Sequence, residues 1–226
     1  MDLRDFLRTF VDGYLISDLR AMLAVRPTGD SRFGALGYPI VASTCAGIEL
    51  LGTLSCEPKA AVDFNEGRRY FRWFWQNWMC TDEGRRDLAD PVYELLRNGI
   101  AHTFVGRPRV EVGRFGGSRD MHLTRKPRSE VLHVDADALA NDFVNAYVAL
   151  SSRVQANLPF REYVGNRLAE YLKLSSKKSD SHKDRIRRVS ERHAALGKPQ
   201  AGSLEGDAVA SPSISARFVL FSSKGF

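Results

Sequence analysis

The sequence predicts a mainly α protein: a helical bundle with a small β-hairpin insertion and a disordered C-terminal tail. Three observations carry this. Apolar residues recur at three- and four-residue intervals in six segments. Between about residues 108 and 134 that period gives way to alternation around a Gly-rich turn. Beyond about residue 175, apolar side chains become too sparse to offset the entropy of ordering the chain. The expected organisation is therefore one helical domain over 1–175 and a basic, low-complexity tail over 176–226.

The first helix is expected over residues 2–25, where Leu3, Phe6, Leu7, Phe10, Tyr14, Leu15, Leu19 and Met22 fall on one face. RPTGDSRFGALGYP, residues 26–39, is dense in Gly and Pro and reads as a loop. A second helix follows to about Ser55, with Pro39 suited to its first turn and Ala42, Ala46 and Gly47 allowing close helix approach. In the third, about 65–79, Phe71, Phe74, Trp75 and Trp78 form a core stripe. Tyr70, Trp73 and the arginines 68, 69 and 72 lie off it, facing a groove or a partner. A fourth helix starts near Asp87 or Asp90, whose carboxylates suit a helix N-terminus beside Pro91, and runs to Phe104.

RVEVGRF, GGSRD and MHLTR then read as two strands around a turn, to which EVLHV can add. His122 and His133 are expected on the surface or on a hairpin face. Two further helices follow, one capped by Asp135 and one started by Pro159.

Charge distribution narrows the function. The formal net charge is +6, yet residues 1–172 hold 22 charges of each sign, so the excess sits in Lys173–Lys198. The tail is thus either a solvated segment or a non-specific attractor of nucleic acid. Cys45, Cys56 and Cys80 have no partners at zinc-ligand spacing and suggest buried thiols, without metal, cofactor or disulfide. The apolar run from Tyr38 to Leu54 is broken by Ser43, Thr44 and Glu49, so it reads as a buried helix and no membrane span is expected. MDLRDFLRTFVDGYLI has no basic region leading into an apolar block, which predicts a cytoplasmic protein.

The chemistry-bearing stretch is YELLRNGIAHTF, residues 93–104. At 100° per residue Val92, Leu95, Leu96, Gly99, Ile100 and Thr103 share one face, and Arg97, Ala101, Glu94, Asn98 and His102 form the opposite arc. Chemistry on a phosphodiester requires proton transfer at the attacking and departing oxygens and positive charge against the phosphorane. Histidine and arginine supply these. His102 is accordingly the candidate acid or base, Arg97 the phosphate clamp and Asn98 the orienting partner of His102, with Glu94 in support. The same Arg–His spacing recurs at Arg128–His133 and Arg188–His193, but neither pair lies in a packed helix that would hold its geometry.

LRNGIAH resembles the signature of the HEPN superfamily, in which Arg, a polar residue, three more residues and His stand near the end of a helix. The resemblance covers the first four helices as architecture and only this motif as sequence; residues 106–226 lie outside it. It implies a HEPN-like helical bundle and a homodimer whose paired motifs form a metal-independent endoribonuclease site acting on RNA. It also implies a toxin or defence setting, with a protein antitoxin as a further partner. One subgroup carries a modified Tyr two residues after the His, where this chain has Phe104, so regulation by adenylylation there is not expected. The alternative is a non-catalytic HEPN-like module binding nucleotide, RNA or a protein partner. A third reading is a scaffold acting through the tail and its ISARFVLF segment.

Overall fold

The computed structural model of the chain describes residues 1–26, 36–57, 61–80, 83–103, 109–114, 122–125 and 131–196, with the side chains of 101–103, 125 and 192–196 left aside. The protein is mostly helical. Helix α1 spans residues 3–24 and is π-wound over Leu7–Ile16. The Asp2 carboxylate caps it by accepting from the Asp5 N–H at 2.8 Å. Helix α2 is Gly37–Ser55, and α3 covers residues 64–79 with a 3₁₀ start and a π-wound end at Trp75–Met79. A short α4, Glu83–Arg86, precedes α5 over residues 89–103. After three short strands come α6, Ala136–Ala156, and α7, Leu158–Asp180. A second compact unit begins at Ser181 and holds α8, Lys183–Leu196.

Helix α2 is the centre of the bundle, packing against α1, α3, α5, α6 and α7. It is apolar nearly all round, as a helix enclosed by others must be. Its Thr44, Thr53 and Ser55 hydroxyls donate to carbonyls four residues back, which satisfies them internally. The small residues on α2 decide how near its neighbours come. A Cβ on Gly47 would stand 2.5 Å from Phe143 of α6, and one on Gly52 would stand 2.1 Å from the Tyr70 carbonyl of α3. Phe71, Phe74 and Trp75 are fully buried, as their stripe predicts, and Trp78 packs half-buried beside them. Tyr70, expected off the stripe, is buried too because α3 lies so close to α2.

The β insertion is present, but its pairing differs from two strands closed by the Gly-rich turn. β1 (Val110–Gly113) runs parallel to β3 (Leu132–Asp135), and β2 (Thr124–Arg125) pairs antiparallel on the other side of β3. The third run therefore occupies the middle of the sheet, and the hairpin is formed by β2 and β3. This corrects the placement of the two histidines. His133 lies on the central strand and is 7% exposed, and His122 is 2% exposed with its Nδ1 accepting from the Asp135 N–H at 3.1 Å. His122 lies 3.7 Å from Asp142 of α6 and His133 lies beside Gly113 of β1, and alternation alone could not distinguish a solvent face from such a covered one. Asp135 caps α6 as expected, accepting from the Ala138 N–H at 2.9 Å.

Residues 176–180 and 183–196, expected to be disordered, are helical. Apolar content misjudges them because their support comes from charged side chains. Lys178 of α7 lies over the Phe64 ring, and in α8 Arg187 pairs with Asp184 at 3.3 Å and Glu191 at 3.9 Å. Residues 197–226, including ISARFVLF, and Phe104 lie outside the described residues. No described helix is long and apolar enough to cross a membrane.

Candidate functional site

Helix α5 carries the arginine motif, and its winding adjusts the faces that a regular helix would present. Tyr93–Arg97 is a π-wound turn in which the Asn98 N–H reaches back to the Tyr93 carbonyl. Tyr93 is buried and Leu95, expected on the core face, is only half-buried, while Val92, Leu96, Gly99 and Ile100 are buried. The Asn98–Gly99 step does not end the helix, which continues through Asn98–Thr103. His102 thus lies on the same continuous helix as Arg97 and Asn98; its side chain is outside the described residues.

Arg97 is held by a residue the motif does not contain. Its Nε donates to Glu49 Oε2 at 2.8 Å and its Nη2 to Glu49 Oε1 at 3.2 Å, a bidentate ion pair between α5 and α2. The guanidinium lies 5.5 Å from the centroid of the Tyr93 ring. Both partners are half-buried, with side chains 31% and 22% exposed, so the pair is less screened than a surface pair and one edge of Arg97 remains within reach of solvent. The third nitrogen, Nη1, donates to the Asn98 Oδ1 at 3.4 Å.

From Asn98 the network continues along α5. The Asn98 Nδ2 donates to Glu94 Oε2 at 3.2 Å, and the other Glu94 oxygen meets Arg68 of α3 at 3.2 Å. Arg68 and Arg72 both donate to Asp90. Burial would raise the Asp90 pKa, but the hydrogen bonds from Arg72 and Arg68 outweigh it and hold the carboxyl below its usual range. Glu94 therefore does stand beside Asn98, whereas Arg68 and Arg72 are taken up by carboxylates of α5.

A cavity of about 290 Å³ opens beside this ion pair, between α2, α5, the start of α3 and α7. Small side chains on α2, Ala42, Cys45 and Ala46, leave the space, and Glu49 and Arg97 form its polar wall. Burial pushes the Cys45 thiol up to about 12, against a smaller opposing pull from Arg97, so it is an inert neutral group at physiological pH. A Cβ on Gly67, at the N-terminal turn of α3, would stand 2.5 Å from Glu49 Oε1, so a larger residue there would displace the carboxylate. Among the described residues, no three His, Cys, Asp or Glu side chains converge to hold a metal ion. No family model, curated protein or solved structure matches the chain.

Sequence reasoning missed Glu49 as a member of this site, although the signal was present. A single carboxylate inside an otherwise apolar helix requires a cationic partner, because an unpaired buried charge is too costly to keep.

Proposed function

We propose that this chain is a metal-independent endoribonuclease of the HEPN type, cutting RNA as a homodimer in the cytoplasm, in a toxin or defence setting with a protein antitoxin as counterpart. The supporting observation is Arg97: a guanidinium fixed by Glu49, Asn98 and Tyr93 at the mouth of a cavity, on one unbroken helix with His102. Fixing an arginine before substrate arrives lowers the reorganisation needed to stabilise charge on a phosphorane.

In the reaction, a base takes the proton of the 2′-hydroxyl, the 2′-oxygen bonds to phosphorus, and the P–O5′ bond breaks as an acid protonates the departing oxygen. The products are a 2′,3′-cyclic phosphate and a 5′-hydroxyl. His102 of each protomer supplies one of the two proton transfers, and Arg97 holds the non-bridging oxygens.

One observation favours a second reading, a non-catalytic module binding nucleotide or RNA. The Arg97 fork already spends two of its nitrogens on Glu49, and the network from Glu49 to Arg72 pairs its charges internally. Cleavage of labelled RNA in excess EDTA separates the two. The nuclease reading expects cyclic phosphate ends from wild type and none from His102→Ala or Arg97→Ala. Equal products from all three, or none from wild type, would leave the binding module.

A further inference from the structure

A second cavity, of about 550 Å³, opens between the start of α1, α6 and the start of α7, and shares no residue with the one beside Arg97. Its apolar lining comes from Leu3, Leu7 and Val154. Its charged lining is three arginines, Arg4, Arg8 and Arg161, against one carboxylate, Asp12.

That carboxylate does not neutralise the arginines. Asp12 accepts the hydrogen bond of the buried Tyr147 hydroxyl, which also bonds to Ser151, so it is committed to α6. Arg8 donates to Asp5 at 2.8 Å, a residue outside the cavity lining. Arg4 and Arg161 have no side-chain hydrogen bond or ion pair among the described residues. The backbone opposes both of them as well. Arg4 lies in the first turn of α1 and Arg161 in that of α7, where the helix dipole disfavours a cation, and the first turn of α7 holds no acid to offset it. Asp2 and Asn157 cap these two helices, so the guanidiniums are the donors left for a ligand. Leu7, Arg8 and Asp12 also belong to the π-wound stretch of α1, a winding frequent at functional sites.

Like charges gathered in one concavity repel each other, and a bound anion relieves that repulsion. A phosphate monoester carries close to two charges near neutrality and three acceptor oxygens, and the planar arginine fork matches it in bidentate fashion. At about 550 Å³ the cavity falls within the range of small-molecule sites, about 300–1,000 Å³, with room for an organic group beside the phosphate.

We propose that this cavity binds a phosphate monoester, its oxygens held by Arg4, Arg8 and Arg161 and its apolar part covered by Leu3, Leu7 and Val154. The site does not depend on the nuclease reading. Two sources offer the same group, a free small organic phosphate and the 5′-phosphate end of an RNA.

Phenyl phosphate, inorganic phosphate, diethyl phosphate and phenol are titrated into the full chain at constant ionic strength and pH 7.5, followed by calorimetry. Phenyl phosphate should bind with submillimolar affinity, about tenfold tighter than the singly charged diester, with inorganic phosphate weaker for lack of an apolar part and phenol not binding. Arg4→Ala and Arg161→Ala should each weaken phenyl phosphate by about tenfold, the loss of one charge-assisted contact. Both side chains are exposed, so urea midpoints should stay at the wild-type value and show that the loss is not unfolding. Arg20→Ala, which removes an exposed arginine of α1 outside the cavity, should leave the affinity unchanged. Absence of phenyl phosphate binding at millimolar concentration, equal binding of the diester, or equal losses in Arg4→Ala and Arg20→Ala would overturn the site. Competition by a 5′-phosphorylated tetranucleotide, but not by its 5′-hydroxyl form, would support the site with an RNA end as its source; failure of both to compete with bound phenyl phosphate would support it with a free organic phosphate.

Discussion

The ion pair between Arg97 and Glu49 should behave as a tertiary tie between α5 and α2, and a double-mutant cycle measures it directly. Arg97→Met keeps the aliphatic stem over Tyr93, and Glu49→Gln keeps the shape of the acid. Two unit charges at this separation attract by on the order of 4 kcal/mol at an effective dielectric near 20. Desolvation and the ordering of two long side chains offset most of that. Exposed pairs retain about 0.2–1 kcal/mol, and removing one partner of a fully buried pair costs about 3–5 kcal/mol. With side chains 31% and 22% exposed and two hydrogen bonds at 2.8 and 3.2 Å, the pair lies between these limits. Each single variant should lose about 2 kcal/mol, and a domain of this size then melts about 4–8 °C lower. The double variant should lose less than the sum, with a coupling of about 1–2 kcal/mol, read from urea midpoints at neutral pH. Losses that add to within about 0.3 kcal/mol would mean that the two side chains do not interact in solution, and the argument that Glu49 holds Arg97 in place would fail.

Two further outcomes follow from packing and protonation. Gly52→Ala should destabilise by about 1–3 kcal/mol, because its Cβ would meet the Tyr70 backbone at 2.1 Å, whereas Gly165→Ala, with nothing within 4 Å, should stabilise α7 by about 0.5–1 kcal/mol; urea unfolding compares them. Asp90 has a folded pKa below its ordinary value of 3.8, so its contribution is complete above that pH and is lost as the pH falls through the lower folded value. The gap in urea midpoint between wild type and Asp90→Asn should accordingly be widest near neutrality and close below about pH 4; a gap that stays constant into acid would refute the pairing of Asp90 with Arg68 and Arg72.

The sequence by itself determined the helices of the bundle. Leu3 to Met22, Phe71 to Trp75 and the Asp135 cap carry local period and local capping chemistry, which depend on neighbours a few residues away and survive in any tertiary setting. It also placed Arg97, Asn98 and His102 on one helix. What it could not determine were relations between distant segments. The choice of β3 as the central strand buried His122 and His133, and pairings across 48 residues joined Arg97 to Glu49. In the π-wound turn Leu95, expected in the core, is only half-buried. In the 176–196 segment the relevant interactions were charge pairs and helix propensity, to which apolar content is blind. The physical reason is common to all of them: period and caps are fixed by local geometry, while the partner of a buried charge, the middle strand of a sheet and the space left by small residues on α2 are fixed only when helices meet.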